Sequence, residues 1–173
     1  MLKVTRRIKE VDIILNQQVA EDIAHLGDVL AEETTHEQIT EAGSNKAAKR
    51  TAERIEALRK QAEGETLRLK LQALGVSQWA QVLSANTVLE GALAGTRDMF
   101  GTAADAIPAM LVDATIGGRP VPDEDITRDA LRRLFDELTD GQFSPLWDAI
   151  MDLNGRSADP KAAIDLASRI LHG

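Results

Sequence analysis

Leu67-Arg68-Leu69-Lys70-Leu71-Gln72 decides how the first half of the chain is read. Apolar and polar residues alternate with a period of two, the pattern of a strand with one buried face. Val11-Asp12-Ile13-Ile14-Leu15 carries a similar signal, with Val11, Ile13 and Leu15 on one face. Between these two stretches the period changes. Val19, Ile23, Leu26 and Leu30 recur at helical spacing after Asn16, a residue suited to capping a helix. Ala48, Thr51 or Ala52, Ile55, Leu58 and Ala62 form a second helical stripe, and Thr34–Asn45, with Gly43-Ser44-Asn45, reads as the connection. The order is strand, helix, helix, strand. Two helices of similar length on a short link fold back on each other, which returns the strands to one another for pairing.

Charge supports that arrangement. Between Asn16 and Asn45 there are seven acidic residues and no Lys or Arg, whereas Lys46–Lys60 holds six basic residues and two acidic ones. An acidic helix beside a basic one is favoured, although each exposed pair contributes only ~0–1 kcal/mol. The basic stretch is therefore read as one face of a helix pair.

Beyond Gly75 the pattern is mostly helical. Ser77 is placed to cap a helix carrying Trp79, Val82 and Leu83. Residues 84–103 are broken by Gly91, Gly95 and Gly101, which puts the large apolar residues Met99 and Phe100 in a loop. Pro108 is placed to open a helix through Met110, Leu111 and Thr115, and Gly117-Gly118-Arg119-Pro120-Val121-Pro122 reads as a linker. Asp123, Glu124 and Asp125 then supply the negative charge a helix start prefers, ahead of Ile126, Ala130, Leu134 and Leu138. Ser144-Pro145 and Asp159-Pro160 each read as a cap followed by proline at the first helical position. The first opens a helix with Leu146, Trp147, Ile150 and Met151, with Trp147 expected to be buried against Leu134 and Leu138. The second opens one with Ile164, Ala167 and Ile170. The fold class expected is mainly α: an antiparallel helical hairpin flanked by two short paired strands, followed by a C-terminal helical bundle. Residues 1–75 form the strand–helix–helix–strand module and 76–173 the α-helical module.

Composition bounds the chemistry. With no cysteine, thiolate catalysis, disulfides and cysteine zinc sites are absent. The three histidines, His25, His36 and His172, are scattered without a helically spaced partner. Asp123-Glu124-Asp125 lacks the alternating ligands and glycine of a calcium loop, and Gly117-Gly118 lacks the lysine of a phosphate loop. Ser144 is followed by proline and reads as a cap rather than a nucleophile. Trp79 and Trp147 read as core anchors. The expectation is a protein that is not an enzyme, with no catalytic residues, cofactor or metal. A net charge of −8 disfavours nucleic-acid binding. No apolar run reaches the ~20 residues of a membrane span, and no signal-peptide pattern follows the basic N-terminus.

Several segments, in order, resemble the tail assembly chaperones of long non-contractile-tailed bacteriophages, particularly those of actinobacteria. They are Arg6-Arg7-Ile8-Lys9-Glu10-Val11-Asp12-Ile13-Ile14-Leu15 with the helix after it, and Leu67–Leu83 with Trp79 four residues before Leu83. Ala106-Ile107-Pro108-Ala109-Met110-Leu111 follows, and then Asp140-Gly141-Gln142-Phe143 running into Leu146-Trp147, Asn154-Gly155 and Asp159-Pro160-Lys161. Ser84-Ala85-Asn86 stands where a His-Pro-Pro stretch is common in such proteins.

The resemblance implies a chaperone that keeps the long helical tape measure protein soluble while tail tube protein polymerises around it. It also implies a location in the host cytoplasm, absence from the mature virion, possible self-association, and in many such phages a frameshifted longer form that recruits tube protein. Met99 and Phe100 are the candidate partner-binding residues. A structural tail or scaffold subunit is the alternative, and a regulatory nucleic-acid-binding protein using residues 46–70 a more distant one.

Overall fold

A computed structural model describes residues 1–37, 44–155 and 160–173. The chain is mainly α, with a small antiparallel sheet. In order, the elements are β1 (Ile8–Ile14), α1 (Gln17–Glu37), α2 (Ser44–Gln61), β2 (Thr66–Gln72), α3 (Val76–Ala85), α4 (Met99–Met110), β3 (Leu111–Ile116), β4 (Arg119–Pro120), α5 (Arg128–Glu137), α6 (Asp140–Asn154) and α7 (Pro160–His172).

The sheet order is β1-β2-β3-β4, with every neighbouring pair antiparallel. Val11 stands opposite Leu69 and Ile13 opposite Leu67, so the apolar sets of β1 and β2 fall on one face. Leu69 and Leu71 on that face are fully enclosed. On the other face Arg68 makes two hydrogen bonds to its cross-strand partner Asp12, at 2.7 and 2.8 Å.

Two strands appear where sequence periodicity gave a helix and a linker. Pro108 does not open a helix; it lies inside α4, which ends two residues later at Met110. Proline has no N–H to extend the ladder, and the chain passes directly into β3, which pairs with β2. Gly117-Gly118 is not a linker but the two-residue turn of the β3–β4 hairpin, with φ of 55° and 77°. Both positions need positive φ, which glycine supplies at least cost. The 76–173 half is therefore not helical throughout, and one sheet draws strands from both halves of the chain.

Helices α3, α4 and α6 supply the groups that cover the apolar face of the sheet. Ala103, Ala104 and Ala106 are fully buried on α4, and such small side chains allow a helix to approach closely. Trp79, Ile107, Met110, Phe143, Leu146 and Ile150 fill the space, and Leu131 and Phe135 of α5 complete the core. Thr102, also buried, donates its hydroxyl hydrogen to the Asp98 carbonyl at 2.7 Å.

Helix starts differ from the expected positions for identifiable reasons. α6 begins five residues before Pro145, after Thr139, because Gln142 Oε1 accepts from the Thr139 N–H at 2.9 Å. This threonine–glutamine capping box outweighs the later Ser-Pro signal. α5 starts after Thr127, whose hydroxyl accepts from the Ala130 N–H, and Asp123–Ile126 forms a separate 3-10 turn. Ser77 is within the first turn of α3 and Gly75 holds the cap position, without a side-chain bond.

Trp147 is half-buried at the core margin instead of enclosed. Leu146, Ala149, Ile150 and Leu153 take the inward stripe of α6, and Trp147 sits one position around from it. α1 extends through Thr34 to Glu37, so residues 34–37 are helical rather than connecting. Residues 38–43, including Gly43, lie outside the described residues, as does Asp159.

The α1–α2 pair forms an arm. Asn16 caps α1 by accepting from the Val19 N–H at 3.1 Å. Glu33, late in α1, accepts from Thr51, early in α2, whereas Ile23 and Ile55 meet nearer the sheet, so the helices run antiparallel. At its base Gln17 donates to the Glu137 carbonyl at 2.7 Å. Away from that base the two helices contact chiefly each other.

Candidate interaction surfaces

Among the described residues no group of three or more His, Asp or Glu side chains is placed to hold a metal. Asp98 caps α4: one carboxylate oxygen accepts from the Gly101 N–H at 3.0 Å and the other from Arg132 at 2.9 Å. The Gly101 amide, with Arg132 beside it, holds the Asp98 carboxyl below its ordinary range. Asp105 is bridged to Arg128 and accepts from the buried Asn86 amide at 2.7 Å. These carboxylates join α3, α4 and α5. Asp152 plays the same part between α6 and the start of β1, taking Arg7 at 2.8 Å and Lys9 at 3.3 Å.

Met99 and Phe100 do not lie in a loop; they open α4 directly after the Asp98 cap. That placement separates their environments. Met99 is half-buried and packs on the core. Phe100 is 45% exposed, with its ring 4.9 Å from Phe143, which in turn stands 5.0 Å from Phe135. One side of Phe100 therefore extends the aromatic cluster and the rest faces solvent.

The segment leading to Phe100 has a defined path. Thr87 pairs with Arg97, Val88 N–H donates to the Thr96 carbonyl at 2.9 Å, and Gly95 N–H donates back to Val88 at 2.8 Å. Asn86 closes the base by accepting from the Asp98 N–H at 2.8 Å. The tip carries Leu89 and Leu93, exposed by 84% and 66%. Sequence reading passed over both leucines, although an apolar residue two positions from glycine in a turn is a usable signal. Large apolar groups grouped on one exposed element mark contact surfaces more often than isolated ones do.

Helix α7 is a second such element. Ile164, Leu166, Ile170 and Leu171 are exposed, and no residue of the helix is buried. Asp165, Ser168, Arg169 and His172 occupy the opposite side at helical spacing, so the helix is amphipathic, and its apolar side is exposed among the described residues. Its stripe was legible in the sequence; its exposure among the described residues was not.

The third surface is a groove of about 630 Å³ along the arm. Leu26 and Val29 of α1 and Thr51 and Leu58 of α2 form its half-buried floor, with Asp22 and His25 on one lip and Arg50 and Arg54 on the other. No helix of the described chain is long and apolar enough to cross a membrane. No protein family, curated protein or solved structure matches the chain.

Proposed function

We infer that this protein is a non-enzymatic phage tail assembly chaperone that holds the tape measure protein while tube subunits polymerise. The observation that carries the reading is the placement of large apolar side chains outside the core. Leu89 and Leu93 are exposed on the loop before α4, Phe100 is part-exposed at the start of α4, and the α7 leucines and isoleucines are exposed on that helix. A long amphipathic helix needs such surfaces to cover its apolar side until assembly is complete. The motif order described above supplies the identity of that helix, and tube protein enters through a longer frameshifted form. In this reading the protein works in the host cytoplasm and leaves before the virion matures.

Co-expression with the tape measure protein tests this. Wild-type protein copurifies with it and keeps it soluble. A Leu89→Ser, Leu93→Ser variant keeps its melting temperature and loses copurification; adding Phe100→Ser also lowers the melting temperature, because the contact with Phe143 is lost. Retained copurification would remove this segment from the interface. Finding the protein in purified virions would favour the structural-subunit alternative.

A further inference from the structure

We propose that the α1–α2 arm is a self-association element: two copies pair groove to groove, with α1 of each beside α2 of the other, in a four-helix bundle. The first support is incomplete burial. Val19, Ile23, Leu26, Val29 and Leu30 of α1 are all only half-buried, and no described side chain of α1 is fully enclosed. Two helices alone leave one side of their seam open, and a second pair closes it.

Charge selects the occupant. The α1 lip carries Asp22, and Glu32, seven residues after His25, continues it; the α2 lip carries Arg50 and Arg54. Among the described residues no salt bridge crosses from α1 to α2, and neither arginine has an ionic partner. In addition, Glu33 Oε1 accepts from the Thr51 hydroxyl at 2.8 Å, whereas Glu33 Oε2 is buried without a hydrogen bond among the described residues. The groove is thus acidic along one edge and basic along the other, which a second copy turned by 180° complements.

The direction of the two-fold axis follows from the same charges. An axis parallel to the helices sets α1 against the partner's α2 and makes every adjacent pair acidic–basic. An axis across the helices sets α1 against α1 and α2 against α2, joining like charges. The first arrangement is favoured, and it places both sheet-bearing bodies at one end of the bundle. At 1.5 Å per residue α2 is ~27 Å long. A contact that long and two helices wide covers roughly 1,000 Å² in total, the lower bound for a specific interface. The dimer is therefore reversible and concentration-dependent.

Sedimentation of the full chain tests the proposal. The wild type is expected at twice the 18.8 kDa chain mass at tens of micromolar. Arg50→Gln with Arg54→Gln, which adds no repulsion within the arm, weakens self-association at least tenfold without lowering the melting temperature measured at dilutions where both proteins are monomeric. If like helices faced each other, the same variant would strengthen it. Arg50→Glu with Arg54→Glu and, separately, Asp22→Lys with Glu32→Lys are each expected to be monomeric, and mixing the two restores a dimer. A monomeric wild type, Gln variants that dimerise as well or better, or a mixture that stays monomeric would each overturn the proposal. None of these substitutions touches Leu89, Leu93 or Phe100, so copurification with tape measure protein is read independently.

Discussion

Gln142 of α6 donates a hydrogen bond to the main-chain carbonyl of Ile14 at 2.7 Å, across 128 positions of sequence. The same buried amide accepts from the Thr139 N–H. One side chain therefore both starts α6 and fixes the end of β1, where the chain turns into the arm. Gln142→Leu leaves two main-chain groups without their partner and is expected to cost ~1–3 kcal/mol in urea denaturation. Gln142→Glu should cost at least as much, because a carboxylate cannot donate to Ile14. A loss below ~0.5 kcal/mol would show that water replaces both bonds.

Two glycines in helices should respond oppositely to alanine. At Gly101 a methyl group would collide with Asn86 Oδ1 and with Asp98 Oδ2, the oxygen that takes Arg132. At Gly27 nothing lies within 4 Å. Gly101→Ala is expected to destabilise by ~1–3 kcal/mol, and Gly27→Ala to stabilise by ~0.5–1 kcal/mol through helix propensity. Thermal melts of the two variants side by side check the difference in sign.

The two tryptophans should also separate. Trp79 is 8% exposed and belongs to the core, so Trp79→Ala is expected to cost ~3–5 kcal/mol. Trp147 is half-buried, and its replacement should cost clearly less. Equal losses in chemical denaturation would mean that Trp147 is packed more tightly than its position on α6 implies.

Acid should weaken the fold through identifiable carboxyls. Asp12, held by Arg68, and Asp98, held by the Gly101 amide and Arg132, both titrate below their ordinary range when folded. The unfolded chain therefore takes up protons first as pH falls. The stability these groups supply is complete above the unfolded value, about 3.9, and is lost as pH drops through their lower folded values. Asp98→Asn keeps a capping side chain but removes the charge, so its melting temperature should fall less steeply than that of the wild type between pH 5 and pH 3. Parallel curves would assign the acid sensitivity to other carboxyls.

The first half of the fold was legible because its signals are local and unopposed. Alternation at Leu67, Leu69 and Leu71 has one reading, and the α2 stripe of Ala48, Thr51, Ile55 and Leu58 turns inward, with Ala62 buried just past the helix end. The second half mixes cues that compete. Pro108 resembles a helix start, but pairing of β3 with β2 takes Leu111–Ile116 out of the helix. Thr139 and Gln142 start α6, and they are a less conspicuous signal than Ser144-Pro145. Met99 and Phe100 were identifiable as large apolar residues near glycines. Asp98 opens that helix through a local bond, its carboxylate accepting from the Gly101 N–H three residues on, a capping signal masked by the surrounding glycines.

The arm also shapes the order of folding. Asp12 and Arg68 pair across 56 positions, a long loop for an unfolded chain to close. Most of the intervening residues belong to α1 and α2, whose contacts are nearer in sequence. Once those helices zip together, the ends of β1 and β2 are joined by only a few effective links. With closure entropy growing as ~1.5RT ln n, that shortening removes on the order of 1.5–2 kcal/mol from the cost of starting the sheet. Stability placed in the arm should therefore appear as faster folding more than as slower unfolding.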